Sequence, residues 1–200
     1  GEIQFIVTSD HGEEFFDLGG VLHGHTLYDE LLRIPLIFRW PGTLEPSIVS
    51  SPSDTFDLHE TLRGLVEAPA SSADSEGRSL WPELLGRGGS SVEGRIRFAA
   101  APTLPGGLFM ARSDDHKLVL APRGGMGLGV GRTHDFEYFF DLRRDPEERV
   151  NLIGQGLSEE DRLRERLHSW IERTGGRGEA ETVVLDDATR EHLEALGYVE

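Results

Sequence analysis

The apolar positions change their spacing along the chain, and each change predicts a different element. Ile3, Phe5, Ile6 and Val7 form an almost unbroken run between Glu2 and Ser9. Such a run suits a strand covered on both faces, as in a parallel sheet. Ile34 to Trp40 is a second run of this kind, stopped by Pro41-Gly42. Residues 12–25 read as a glycine-containing loop, and Leu27 to Leu32 as a short helix or turn. From Asp54 to Val66 the period lengthens. Leu58, Leu62, Leu65 and Val66 fall on one helical stripe, and Ser53 or Asp54 can cap its start. A loop of small residues follows over 68–77, then a short helical turn from Arg78 to Leu85 and a flexible link over 86–94.

Beyond the link the pattern shortens again. Arg95 to Ala101, Leu108 to Ser113, His116 to Ala121 and Glu137 to Leu142 are short strand candidates, and Ser113-Asp114-Asp115 reads as a hairpin turn. They predict an antiparallel sheet. The run Gly124 to Gly131 reads as a mobile loop. Leu163, Leu167, Trp170 and Ile171 mark one face of a helix from Glu159 to Arg173, with Ser158 and Asp161 in capping-box positions. A last helix spans Ala188 to Leu196 and stops at Gly197. The fold class expected is α/β: residues 1–90 as the end of an α/β sheet unit, and residues 91–200 as a small antiparallel sheet with packed helices.

Composition narrows the partners. Of 200 residues, 37% are hydrophobic and 28% charged, which places the chain among folded globular proteins. The net charge of -16 argues against a nucleic-acid binder, which needs a basic patch, and disfavours an anionic membrane. No apolar run approaches the length of a membrane span. Cysteine is absent, so disulfides, thiolate metal sites and Cys nucleophiles are excluded from these residues. The chain starts at Gly1 and enters a strand within two residues, which reads as a cut and leaves any targeting signal outside it.

Candidate chemistry gathers behind the first strand. Asp10 and His11 stand at its C-terminal end, where open α/β sheets bind ligands. A carboxylate beside an imidazole suits a divalent cation. A turn-capping Asp10 beside a surface His11 is the other reading. His23 and His25 flank Gly24, and an imidazole there can pass a proton to a leaving oxygen or hold an anionic group. Glu13 and Glu14 read as solvated loop charges, and His59 as a helix residue. His116-Lys117 reads as part of a hairpin, with an anion contact as the alternative. The run 124–131 lacks the Lys-Ser/Thr ending of a phosphate-binding loop, and there is no Gly-x-Ser-x-Gly elbow. The residues alone support half of a metal-binding hydrolytic site.

The order of short blocks resembles the sulfatase family, within the alkaline-phosphatase-like superfamily. The blocks are Thr8-Ser9-Asp10-His11-Gly12-Glu13, His23-Gly24-His25, Leu27 to Ile37, and Trp40-Pro41-Gly42. Asp57-Leu58 with Thr61-Leu62, Gly77-Arg78-Ser79-Leu80, Phe140-Asp141-Leu142 with Asp145-Pro146-Glu147 and Asn151-Leu152, and Leu196-Gly197-Tyr198 continue the series.

The resemblance implies hydrolysis of a small-molecule or carbohydrate sulfate ester. It implies Asp10 and His11 as two ligands of a divalent cation, most often Ca2+, with His11 at a place that is Asn in many members. It places His23 near a Lys that contacts the transferred group, with His25 as the competitor. The family's nucleophile is a formylglycine made within a Cys/Ser-x-Pro-x-Arg motif. Ser50-Ser51-Pro52-Ser53 is not that motif, because Asp54 stands where Arg is required. The nucleophile and a further pair of acidic ligands are expected upstream of Gly1. A phosphodiesterase or phosphonate hydrolase of the same superfamily, and a non-catalytic sulfatase-like binding module, are the alternatives. Many members are exported to the periplasm or beyond the cell, but these residues carry no address.

Overall fold

The computed structural model describes residues 3–66, 68, 77–88, 94–101, 107–120 and 137–174. The chain opens with strand β1 (Phe5–Thr8), a short ribbon of β2 (Glu14–Phe15) and β3 (Val21–Leu22), the single-turn helix α1 (Asp29–Leu32), and strand β4 (Leu36–Arg39). Helices α2 (Thr55–Leu65) and α3 (Trp81–Leu84) follow. Strands β5 (Arg97–Ala101), β6 (Leu108–Arg112), β7 (His116–Leu120) and β8 (Tyr138–Asp141) come next, then helix α4 (Ser158–Arg173). The expected loop 124–131 and final helix 188–196 lie outside the described residues.

The two apolar runs pair with each other. β1 and β4 are antiparallel, with Phe5 opposite Arg39 and Thr8 opposite Leu36. The expected parallel arrangement does not hold between these two strands, because residues 9–35 turn the chain back on itself. Phe5, Ile6, Val7 and Ile37 are exposed in this chain. Continuous apolar strands therefore do not mean burial within these residues.

The strands β5 to β8 form an antiparallel meander in sequence order, as the spacing predicted. Both faces of its centre are covered. On one face Phe109, Ala111, Leu118, Leu120 and Phe139 pack against Leu163, Leu167 and Trp170 of α4. On the other, Leu108, Met110 and Val119 pack against Leu27. Coverage on both sides explains why β6 and β7 read as near-continuous apolar runs rather than alternating ones. The expected Ser158–Asp161 box does not form: Leu157 is the N-cap of α4 and makes no side-chain cap. Glu160 instead accepts the amide of Gly154 at 2.9 Å.

Helix α2 begins as expected at Asp54, with a capping box between Asp54 and Asp57. Its buried face is not the leucine stripe. Leu62 and Val66 are exposed, whereas Asp57, Glu60 and Thr61 are buried. The Asp57 carboxylate accepts the Arg78 amide at 2.8 Å and two bonds of 2.8 Å from one Arg95 nitrogen. The Thr61 hydroxyl accepts the Leu80 amide at 2.8 Å and donates to the Asp57 carbonyl at 2.6 Å. These bonds fasten the 77–80 turn to the helix. Gly77 is required at the contact, since a Cβ there would lie 2.2 Å from the Phe56 carbonyl oxygen.

A buried ion cluster joins α1 to the meander. Lys117 has no exposed surface. Its Nζ lies 2.9 Å from Asp29 and 2.6 Å from Glu148. Arg112 also pairs with Asp29, at 2.5 Å, and Glu148 accepts the Asp29 amide at 2.9 Å. Burial works against the ionised Asp29, but Lys117 and Arg112 outweigh it and hold its carboxyl below the usual range. At Glu148 burial wins over Lys117, and the carboxyl is pushed up. Lys117 is thus a structural cation, not an anion contact, and His116 stacks on Phe139 with ring centroids 5.4 Å apart. Replacing Lys117 with Met leaves Asp29 and Glu148 without their central partner. We expect it to cost about 3–5 kcal/mol of stability, read by urea unfolding of the 200-residue chain.

Candidate active site

The end of β1 turns sharply at Ser9. The Ser9 hydroxyl donates to the His11 carbonyl at 2.6 Å, and the His11 amide donates to Asp10 Oδ1 at 3.0 Å. This amide and the neighbouring backbone and imidazole hold the exposed Asp10 carboxyl below its usual range. Asp10 therefore does cap a turn, but only with one oxygen. Its Oδ2 faces His11 Nε2 at 3.8 Å.

His11 Nδ1 lies 2.7 Å from the Gly12 carbonyl oxygen. A carbonyl only accepts, so Nδ1 carries the proton in the neutral ring and Nε2 keeps its lone pair. Both side chains are exposed. One metal ion can touch two atoms 3.8 Å apart, because metal–ligand bonds of about 2.0–2.6 Å span that gap. The donor set fits two ligands of a divalent cation. Among the described residues, no group of three or more such side chains is gathered around one point.

Gly12 fixes where this turn sits. Its amide donates to the Leu31 carbonyl at 2.8 Å. A Cβ on Gly12 would lie 1.9 Å from the Glu30 carbonyl oxygen, inside α1. The site is thereby pressed onto α1, and α1 is held to the meander by Asp29.

The loop read over 12–25 contains the β2–β3 ribbon, which the residue pattern had not suggested. Glu14 pairs with Leu22 and Phe15 with Val21. Continued one step outward, this register sets Glu13 opposite His23. Glu13 Oε2 lies 3.2 Å from His23 Nδ1. The ribbon also carries His23 back to the strand end: the His11 and His23 rings are 4.2 Å apart, tilted by 33°. His23 Nε2 is left free of Glu13. Leu22, just before His23, has φ 68, and Gly24, just after it, has φ 85. A left-handed leucine costs of order 1 kcal/mol or more and persists only where its surroundings hold it.

His25 is placed differently. Its Nε2 lies 2.7 Å from Glu14 Oε2, and both side chains are nearly enclosed. Thr26 donates to the other Glu14 oxygen at 2.5 Å. Glu14 is 3% exposed, so it is not the solvated charge that the sequence suggested. Adjacent side chains on a strand point to opposite faces, which separates Glu13 from Glu14; beyond the strand the left-handed Gly24 breaks the alternation, and His25 meets Glu14 rather than Glu13. The signal for this lay in the two aromatic-apolar pairs, Phe15-Phe16 and Val21-Leu22, around Gly19-Gly20. His59 is an exposed helix residue, as expected.

The chain is similar to several known proteins. A sequence model of the family "Sulfatase" matches residues 2–68, which contain every site residue named above. Human arylsulfatase A is 27% identical over 171 residues, covering 76% of this chain and 34% of the human protein. The chain thus spans about a third of the length of the curated relatives it matches. BT4656, solved with its substrate D-glucosamine-2-N,6-O-disulfate, superimposes with a TM-score of 0.65 at 21% identity, over 90% of this chain and 36% of that one. Phosphonate monoester hydrolase from Silicibacter pomeroyi superimposes with a TM-score of 0.60 at 25% identity, over 94% of this chain and 37% of that one.

Replacing Gly12 with Ala forces a clash with α1 and should cost about 2 kcal/mol or more in urea unfolding. The control is Gly64→Ala on α2, where a Cβ meets nothing within 4 Å and stability should hold or rise by up to about 1 kcal/mol. In its ordered blocks, its fold and the match over residues 2–68, this chain is similar to the sulfatase family.

Proposed function

We propose that the intact protein hydrolyses a sulfate ester, and that this chain supplies part of the metal site and a proton-transfer group. The observation that carries the reading is the cluster at the end of β1. Asp10 and His11 face each other at 3.8 Å, and the His23 ring lies 4.2 Å from His11. All three fall within residues 2–68, the segment similar to the family.

In this reading Asp10 Oδ2 and His11 Nε2 hold a divalent cation, Ca2+ by resemblance to the family. The bound ion would polarise the sulfuryl oxygens and offset their growing charge. Ser9 and the His11 amide fix Asp10, and the Gly12 carbonyl fixes the His11 ring. Glu13 on Nδ1 turns the His23 ring so that Nε2 is the atom that exchanges a proton with the leaving oxygen. His25, enclosed with Glu14, is the poorer candidate for that role. The nucleophile in this reading is a formylglycine, carried with the remaining acidic ligands by a part of the protein outside these 200 residues.

The substrate class we favour is a small or carbohydrate sulfate ester. Support comes from the sulfated sugar bound by BT4656. The similarity to a phosphonate monoester hydrolase favours a second reading, in which the same metal pair serves phosphonate or phosphodiester hydrolysis. A non-catalytic binding module is the third.

Two measurements test these readings. Titrating the chain with Ca2+ should show binding that Asp10→Asn weakens at least tenfold, with unchanged unfolding; equal affinity in both would remove Asp10 from the site. The protein carrying the complete coding sequence should turn over an aryl sulfate faster than a phosphonate monoester. The reverse order would select the second reading, and no turnover of either the third. The 200 residues alone should turn over neither.

A further inference from the structure

The Glu14–His25 pair has no part in the chemistry proposed above, yet it is the most enclosed polar contact of the site loop. Glu14 Oε2 lies 2.7 Å from His25 Nε2, and Glu14 Oε1 accepts from Thr26. The backbone closes over the pair at Gly20. A Cβ there would lie 2.0 Å from Glu14 Oε2 and 3.0 Å from His25 Nε2. On its other side the His25 ring reaches back to His23, with Nδ1 3.3 Å from the His23 carbonyl oxygen.

His23 therefore sits between two left-handed residues, Leu22 and Gly24, with its carbonyl against a ring that Glu14 holds. Gly24 adopts that region freely, but Leu22 is strained there and persists only where its surroundings hold it. Glu14 is well placed to hold it. It stands on β2 opposite Leu22, and beyond Gly24 it accepts from Thr26 and sets its other oxygen against the His25 ring.

We propose that Glu14, acting through His25, is a positioning residue that keeps the His23 ring against His11. This deepens the reading of His23 as the proton-transfer group and rests on it for its functional meaning. The geometry itself is testable without any turnover.

The test uses the 200-residue chain, isotope-labelled, with the nuclear Overhauser effect between the His11 and His23 ring protons as readout. Thermal unfolding of each variant is measured alongside. Glu14→Gln and His25→Ala should each reduce the cross-peak at least threefold while the chain stays folded. His25→Gln should restore it, because its amide nitrogen reaches the Glu14 carboxylate much as Nε2 does. Unchanged cross-peaks in folded Glu14→Gln and His25→Ala would overturn the proposal. So would loss of folding in both, since the pair would then be a general support of the fold. Absence of sulfate ester turnover in the complete protein, with the cross-peak pattern as expected, would count against the functional reading alone.

Discussion

An ammonium group with no exposed surface must be neutralised inside the protein, and Lys117 is such a group. Its two carboxylates come from opposite ends of the described chain, Asp29 on α1 and Glu148 beyond β8. Removing any one of these charges leaves the others without their partner in the interior, so the elements that carry them depend on one another. α1 is a single turn and too short to hold its own position. It takes its place from the pairing of Asp29 with Lys117 and Arg112, and from Leu27 against the meander. Gly12 then presses the end of β1 onto α1. The position of Asp10 and His11 is thereby set by a lysine some hundred residues away along the chain.

The blocks that mark the family acquire physical reasons in this frame. Gly12 is small because a carbonyl of α1 occupies the space of its Cβ. Asp57 and Thr61 accept the amides of Arg78 and Leu80, so the helix block and the Gly-Arg-Ser-Leu block are two halves of one fastening. Asn151 accepts the amides of Phe139 and Ile153 and donates to the Glu137 carbonyl, which ties the segment after β8 to that strand. Asp145 accepts the Val150 amide and closes the turn between them. Most of the recognisable residues hold the scaffold; few face the site.

What was legible in the sequence follows from how local each cause is. β4, the four meander strands and α4 are fixed by spacing, turn residues and breakers within a few positions, and they were readable. Asp54 as a helix cap is equally local. The buried face of α2 was not readable, because the partners of Asp57 and Thr61 are the backbone of a distant turn and the side chain of Arg95. Periodicity pointed to Leu62 and Val66, which are exposed in this chain. Asp10 and His11 were identifiable as residue types at a strand end, and His23 as an imidazole in the loop behind it. Their mutual approach depends on the β2–β3 ribbon, whose strands of two residues each are too short to leave a periodic signal.

That ribbon places an unusual demand on residues that touch nothing in the site. Side chains on a strand alternate between faces, so the count of residues between Phe16 and Gly20 decides which residue stands opposite His23. Adding or removing one residue there would shift the pairing by one step. His23 would then stand opposite Glu14 or Gly12 instead of Glu13. Asp17 and Leu18 lie outside that pairing and Gly19 must stay glycine for its φ of 86, yet the number of the three is as constrained as the identity of a ligand.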